Sequence, residues 1–154
     1  MRRSGFTLVE ILIVVVILGI LAAIVVPQFT NASNEAVKGA LQSQLQTISS
    51  QMELYRVRSQ GAYPTMGSGE ANNGWGDVVG EQYLKEEPFN GYTGESAIAT
   101  GGQTAALAGD RDSSSGWNFD ATTYEVFATA YDAATNTLAH ETGYPSGGGG
   151  GGGG

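Results

Sequence analysis

Residues 5–27 read Gly5-Phe6-Thr7-Leu8-Val9-Glu10-Ile11-Leu12-Ile13-Val14-Val15-Val16-Ile17-Leu18-Gly19-Ile20-Leu21-Ala22-Ala23-Ile24-Val25-Val26-Pro27, and this stretch decides the architecture. Between Phe6 and Val26 only Thr7, Glu10 and Gly19 fall outside the apolar set, leaving 18 apolar residues of 21. As a helix rising about 1.5 Å per residue, the run covers roughly 30 Å, the thickness of a bilayer's hydrocarbon core. Arg2 and Arg3 precede it, which keeps that flank cytoplasmic and sends the chain outward. An ordinary secretory signal has a shorter apolar core closed by a small-residue cleavage site. Here Ile11 to Val26 is 16 residues without a charge, and Ala22-Ala23 is followed by more apolar residues. The run is therefore expected to be kept as a membrane segment.

Outside that run the 154-residue chain is only about one-third apolar, enough for one small domain with a thin core and not for a large enzyme. Eight of the 24 glycines form the run Gly147–Gly154, expected to hold no fixed structure. Between Gln60 and Gly154 only Lys85 and Arg111 oppose twelve acids. So acidic a head repels phosphate, which argues against a nucleic-acid partner. The absence of cysteine excludes a disulfide framework, a zinc ribbon and a thiol nucleophile.

Two residues of the opening stretch break its pattern. Glu10 places a carboxylate in an apolar helix, at about 2.5 to 3.5 kcal/mol if it sat at the bilayer centre and less near an end. Either it snorkels to the headgroups, or a cation supplied by another copy of the chain compensates it. Pro27 removes one helical donor and crowds the preceding turn, so a kink or local melting between Gly19 and Pro27 is expected; a plain helix stop at the membrane edge is the competing reading.

Gly5-Phe6-Thr7-Leu8-Val9-Glu10, behind a short basic leader and ahead of an apolar run closed by Pro27, resembles the processing motif of type IV pilins and of the pseudopilins of type II secretion. The resemblance implies that a prepilin peptidase cuts between Gly5 and Phe6, that the new Phe6 amine is methylated, and that the apolar helix survives the cut. It then gives Glu10 a role: a neighbouring subunit, shifted axially, sets its Phe6 amine against the carboxylate. Such an ion pair sets register more than it adds net stability, because desolvation absorbs much of the Coulomb gain.

Beyond the proline, Val37, Leu41, Leu45, Ile48, Met52 and Tyr55 recur every three or four residues and form one apolar stripe. Gln42, Gln46, Ser49 and Glu53 fall largely off it, so the stripe is expected to pack on a small sheet. Gly61 and Pro64 stop the helix. From Gly61 to Gly116 the composition reads as ordered loop, with a helical turn or two over Asp77–Leu84 and a turn at Asn90-Gly91. Trp117–Phe119, Tyr124–Tyr131 and Thr137–His140 read as strands of an antiparallel meander. In order and spacing, Tyr63-Pro64, Tyr83-Leu84-Lys85 and Pro88-Phe89-Asn90-Gly91-Tyr92 are similar to the region after the helix in major pseudopilins.

Catalytic chemistry finds few candidates. His140 is the one histidine and pairs with no recognisable Ser or Asp. Gly67-Ser68-Gly69 and Gly101-Gly102 lack what a phosphate loop needs and read as flexible. Asp110 to Gly116 offers oxygen ligands at alternate positions, but its glycine is misplaced for an EF-hand and the bidentate glutamate is missing. The resemblance brings calcium into view, since major pseudopilins hold it in the C-terminal sheet loops; no ligand set is read for it here, and no catalytic, cofactor or metal site is assigned.

The expected molecule is α+β and pilin-like. A leader covers residues 1–5, a transmembrane and filament-core helix 6–26, and its amphipathic continuation 27–60. An αβ-loop region follows over 61–116, an antiparallel sheet over 117–146 and the glycine tail over 147–154. Gly5 and Phe6 are the expected cleavage and methylation residues, Glu10 and Pro27 the assembly residues. The resemblance implies an inner-membrane protein with a periplasmic head that polymerises with itself. Its further partners would be prepilin peptidase, an assembly platform and minor pilins. The end product is a secretion pseudopilus or, as the alternative, a type IV pilus for adhesion, motility or DNA uptake. An enzyme or receptor domain on a plain anchor is disfavoured by the thin core.

Overall fold

A computed structural model describes residues 6–145; the leader residues 1–5 and the glycine run lie outside the described residues. The chain divides into two compact units, Met1–Ala36 and Val37–Gly154. Helix α1 spans Leu8–Arg58 and belongs to both. In the first unit it is apolar on all sides and covers none of its own side chains: Leu8 is 82% exposed and Val26 61%. The backbone remains helical through Pro27 and on to Arg58, so in the single chain the proline neither melts the helix nor stops it. Helical hydrogen bonds on both sides of the proline hold the turn despite the missing N–H, and the Thr30 hydroxyl donates to the Val26 carbonyl at 3.2 Å beside it.

In the second unit the apolar stripe of α1 does what its period requires. Leu41, Ile48, Met52 and Tyr55 are buried, and Val37 and Leu45 are packed against the same core. The centre of that core is a pair of fully buried indoles, Trp75 and Trp117, edge to face with centroids 6.0 Å apart. Each indole N–H finds a carbonyl, that of Ser96 at 2.7 Å for Trp75 and that of Pro88 at 2.9 Å for Trp117. These bonds let large polar-tipped rings sit in the middle of a small domain.

The remaining elements are α2 (Gly76–Gly80), β1 (Ile98–Thr100), α3 (Gly102–Ala108), β2 (Trp117–Asp120), β3 (Glu125–Ala128), β4 (Tyr131–Asp132) and β5 (Thr137–Leu138). The fold is α+β, but its sheet is mixed where a purely antiparallel meander was expected. Strand β1 pairs parallel with β2, Ile98 opposite Trp117, and β3 pairs antiparallel on the other side, Trp117 opposite Ala128. Helix α3 forms the crossover between the two parallel strands. Gly101-Gly102, read as flexible, is where this helix starts. Gly102 has φ +63°, and a Cβ there would lie 2.7 Å from the Asp120 carboxylate, so backbone freedom and close approach are both used. Gly67-Ser68-Gly69 is likewise tied down, because Ser68 and Thr100 exchange two backbone-to-hydroxyl bonds at 3.0 Å.

The long central run expected from Tyr124 to Tyr131 is two strands in two sheets. Tyr124 (φ +59°) closes the turn before β3, and Ala130 (φ +62°) swings the chain out of it. The Ala130 N–H donates to Ala106 of α3 at 2.9 Å instead of to a strand. Strands β4 and β5 then pair by themselves, Tyr131 opposite Leu138. Asn90, at the expected turn, is a fully buried hub. Its amide donates to the carbonyls of Gly116 (2.7 Å) and Thr129 (3.1 Å), and its own oxygen accepts from the Tyr92 and Thr93 amides.

Candidate functional site

The start of α1 is built by a reciprocal cap. Thr7 immediately precedes the helix and Glu10 is its third residue. The Thr7 hydroxyl accepts from the Glu10 amide at 3.3 Å, and the Glu10 carboxylate accepts from the Thr7 amide and from its hydroxyl, both at 2.9 Å. A Thr-x-x-Glu sequence ahead of an apolar run is the signature of this capping box, which satisfies helix N–H groups that have no intrahelical partner. The sequence reading weighed snorkelling to the headgroups against a cation from another copy for Glu10 and missed Thr7. The carboxylate therefore has local partners before any second molecule arrives, and its position in the first turn suits the positive end of the helix dipole.

Phe6 is 80% exposed just ahead of the cap, and Gly5 lies outside the described residues. Pro27 is 17 residues along α1 from Glu10, about 25 Å at the helical rise, so the structure does not bring the two expected assembly residues together in one chain. What joins them is a continuous apolar surface. Every large apolar side chain from Leu8 to Phe29 is between 46% and 82% exposed. Among the described residues, this helix is the one long and apolar enough to cross a membrane. Apart from the capped Glu10 at its start, the run from Leu8 to Val26 presents an almost wholly apolar surface; it suits lipid or other helices of the same kind.

A second arrangement closes the head. Lys38, 6% exposed, reaches Glu141 with its ammonium 3.2 Å from one carboxylate oxygen and 3.3 Å from the other. The other anchors of this segment are the Leu138 amide on Glu141 (2.9 Å), the Tyr92 hydroxyl on His140 Nδ1 (2.9 Å) and the Tyr144 hydroxyl on the Ala106 carbonyl (3.4 Å). Burial pushes the Glu141 carboxyl up, but the Leu138 amide and Lys38 outweigh it and hold the group below its usual range. Asp132 behaves alike: burial raises it, and the Thr135 hydroxyl with the Ala134 and Thr135 amides brings it below. Sequence reasoning missed Lys38, although a lone cation beside the stripe residues Val37 and Leu41 was its signal.

Several carboxylates of the head's loops are bonded within their own turns or to Lys38. Among the described residues no group of three or more His, Asp or Glu side chains is placed to hold a metal ion. Asp110 accepts from the Asp112 amide at 3.0 Å, Asp120 from the Thr122 and Thr123 amides, Asp132 from Ala134 and Thr135, and Glu141 from Lys38. Each of these carboxylates is thus engaged by donors of its own turn or by an ammonium, which fixes the loop it belongs to. His140 sits parallel to the Tyr92 ring with centroids 5.6 Å apart, in no catalytic arrangement.

Comparison with known proteins agrees with this inventory. The model of the prokaryotic N-terminal methylation motif matches residues 1–26. The chain is 36% identical over 89 residues to type II secretion system core protein G of Dickeya chrysanthemi, covering 58% of this chain and 54% of that protein. Against the protein of the same name from Pseudomonas aeruginosa it is 41% identical over 68 residues, 44% of this chain and 47% of the relative. The chain thus spans about half the length of these secretion-system relatives. To the type IV narrow pilus major component PilA5 of Thermus thermophilus it is 31% identical over 112 residues, 70% of this chain and 96% of that protein. No solved structure gives a significant match.

Proposed function

The chain belongs to the type IV pilin-like family, and from that premise we propose that it is a structural subunit of a type II secretion pseudopilus. The family is structural and not enzymatic, in keeping with a head built around two tryptophans. In the proposed cycle prepilin peptidase cuts after Gly5, Phe6 is methylated, and the subunit waits in the inner membrane with its head in the periplasm. An assembly platform and minor pilins then move it into a helical filament. The observation that carries polymerisation is the apolar run from Leu8 to Phe29, exposed on every face, which cannot be covered by one partner face and is covered on all sides inside a bundle of like helices. The secretion assignment rests on similarity to the core protein G relatives.

Within this cycle Glu10 changes partners. Its carboxylate is held by Thr7 in the single chain, and the new Phe6 amine of a neighbour offers a full positive charge in place of neutral donors. The carboxylate already bonds as an ion to Thr7, so the exchange adds an opposite full charge and sets register more than it adds net stability. Mass analysis of the mature N-terminus tests the processing: the expected chain starts at methylated Phe6, and an intact Met1 or a cut beyond Ala23 would overturn it. Glu10→Ala is expected to insert normally and to lose filaments; wild-type filament levels in that variant would remove the partner exchange.

A second reading has its own support, because the pilin relative is matched over nearly its whole length. In that case the filament is a type IV pilus. Deleting the protein and assaying secretion against twitching motility separates the two, with loss of secretion expected here.

A further inference from the structure

A groove of about 500 Å³ in the second unit lies between α1 and the loop after α2. Ile48 and Leu84, both buried, give it apolar lining, and Phe89 lines it while 54% exposed. Its charged and unsatisfied groups are all acceptors. The Gln44 side-chain oxygen is buried without a hydrogen-bond partner. Glu86 makes none of the hydrogen bonds or ion pairs of the described residues, and Glu87 accepts only from the Asn73 amide. An orphan buried acceptor beside two carboxylates calls for a cationic donor, and the Ile48, Leu84 and Phe89 lining calls for an apolar neighbour to that cation.

The same head carries such a group elsewhere. At the end of α1, Val57 is 76% exposed and Leu54 39%, next to Arg58. Arg58 lies over the Tyr83 ring, its guanidinium carbon 5.7 Å from the centroid, and reaches no carboxylate among the described residues. Arg56, by contrast, is already paired with Glu53 at 3.2 Å. Arg58 follows Gln44 by 14 residues on the same helix, about 21 Å at the helical rise, and, stacked on Tyr83, it pairs with neither Glu86 nor Glu87 of its own chain.

We propose that the groove receives the Leu54–Arg58 end of α1 from a second copy of this chain, with Arg58 meeting Glu86 and Glu87 and Val57 packing on Phe89. Because knob and groove lie on different parts of one surface, the contact is heterologous, and each copy that is bound still offers one of the two to the next. Repetition of such a contact generates an open helical array. The proposal rests on the polymer reading above and adds a head-to-head bond to it.

The described residues contain no cysteine, and the sequence has none, so engineered pairs report cleanly. Filaments of the full-length chain carrying Val57→Cys with Phe89→Cys are expected to give a ladder of disulfide-linked multimers on mild oxidation, while each single variant stays monomeric. Dimers from Val57→Cys alone, or double-variant filaments that remain monomeric after oxidation, overturn the contact. Arg58→Glu is expected to lower filament yield about tenfold through like-charge contact, and Glu86→Arg with Glu87→Arg in the same chain to restore it to within about threefold. A reversal without loss, or a swap without rescue while the head melts at the wild-type temperature, overturns it too. If the wild-type chain forms no filament at all, the polymer reading fails and takes the contact with it; normal filaments lacking these linkages defeat the contact alone.

Discussion

Two stretches of one helix carry the same kinds of side chain into opposite surroundings. From Leu8 to Val26, leucine, isoleucine and valine occupy every face and remain exposed; from Leu41 to Tyr55 apolar side chains recur every three or four residues, with Leu41, Ile48, Met52 and Tyr55 buried and Leu45 packed against them. The second stretch gives the chain one surface to cover, and the chain covers it itself. The first gives it a whole cylinder, which no element of a small head can enclose. Stability of the head is therefore an intramolecular property, whereas order in the first stretch is set by what surrounds it, lipid or other copies. Polar residues between the apolar ones make the difference: Gln, Ser, Thr and Glu fill the spaces from Gln42 to Glu53 and leave one apolar stripe, whereas Glu10 and Gly19 alone interrupt Leu8 to Val26.

That contrast breaks most readily at its buried centre. Trp117→Ala is expected to destabilise the head by about 3 to 5 kcal/mol, which thermal unfolding of the detergent-solubilised chain followed by near-UV circular dichroism would register as loss of the cooperative transition. Glu141→Gln strands the buried Lys38 and should cost about 2 to 3 kcal/mol in urea unfolding; restoration by Lys38→Met with Glu141→Leu would place the cost in the broken pair.

Acid sharpens the same point. Asp132 and Glu141 have folded values held below their unfolded ones, so their stabilisation is complete above the unfolded carboxylate range and is lost as pH falls through the folded values. The melting temperature should be flat from about pH 7 to 5 and decline below roughly pH 4, with a shallower decline in Glu141→Gln. Smaller still is Thr7→Ala, expected to cost the first turn of α1 about 1 kcal/mol by removing its cap. Faster amide exchange at Leu8–Ile11 without any change in head melting would register it. At the bottom of the scale, Val15→Ala should move head stability by no more than about 0.5 kcal/mol, and a larger shift would show that the two stretches are not energetically separate.

Much of this was legible beforehand because it is written in long-range pattern. The apolar run, the stripe from Val37 to Tyr55 and the α+β class all follow from periodicity over many residues. What escaped was set by single backbone positions and short elements. Strand β1 has three residues, with Ile98 its only large apolar one, too little to signal a strand. Ala130 at positive φ divides a run that reads as continuous. Thr7 was hidden by attention to the charge of Glu10, although its spacing from that residue was plain, and Glu141 pairs with Lys38 across 103 positions, a separation no local pattern encodes.

The Lys38–Glu141 clasp is also a late contact. Lys38 lies in the first turn of the second unit, and its carboxylate partner is among the last described residues. All the residues between Lys38 and Glu141 must be made before the clasp can close, so it locks a head whose shorter-range contacts have already had the chance to form.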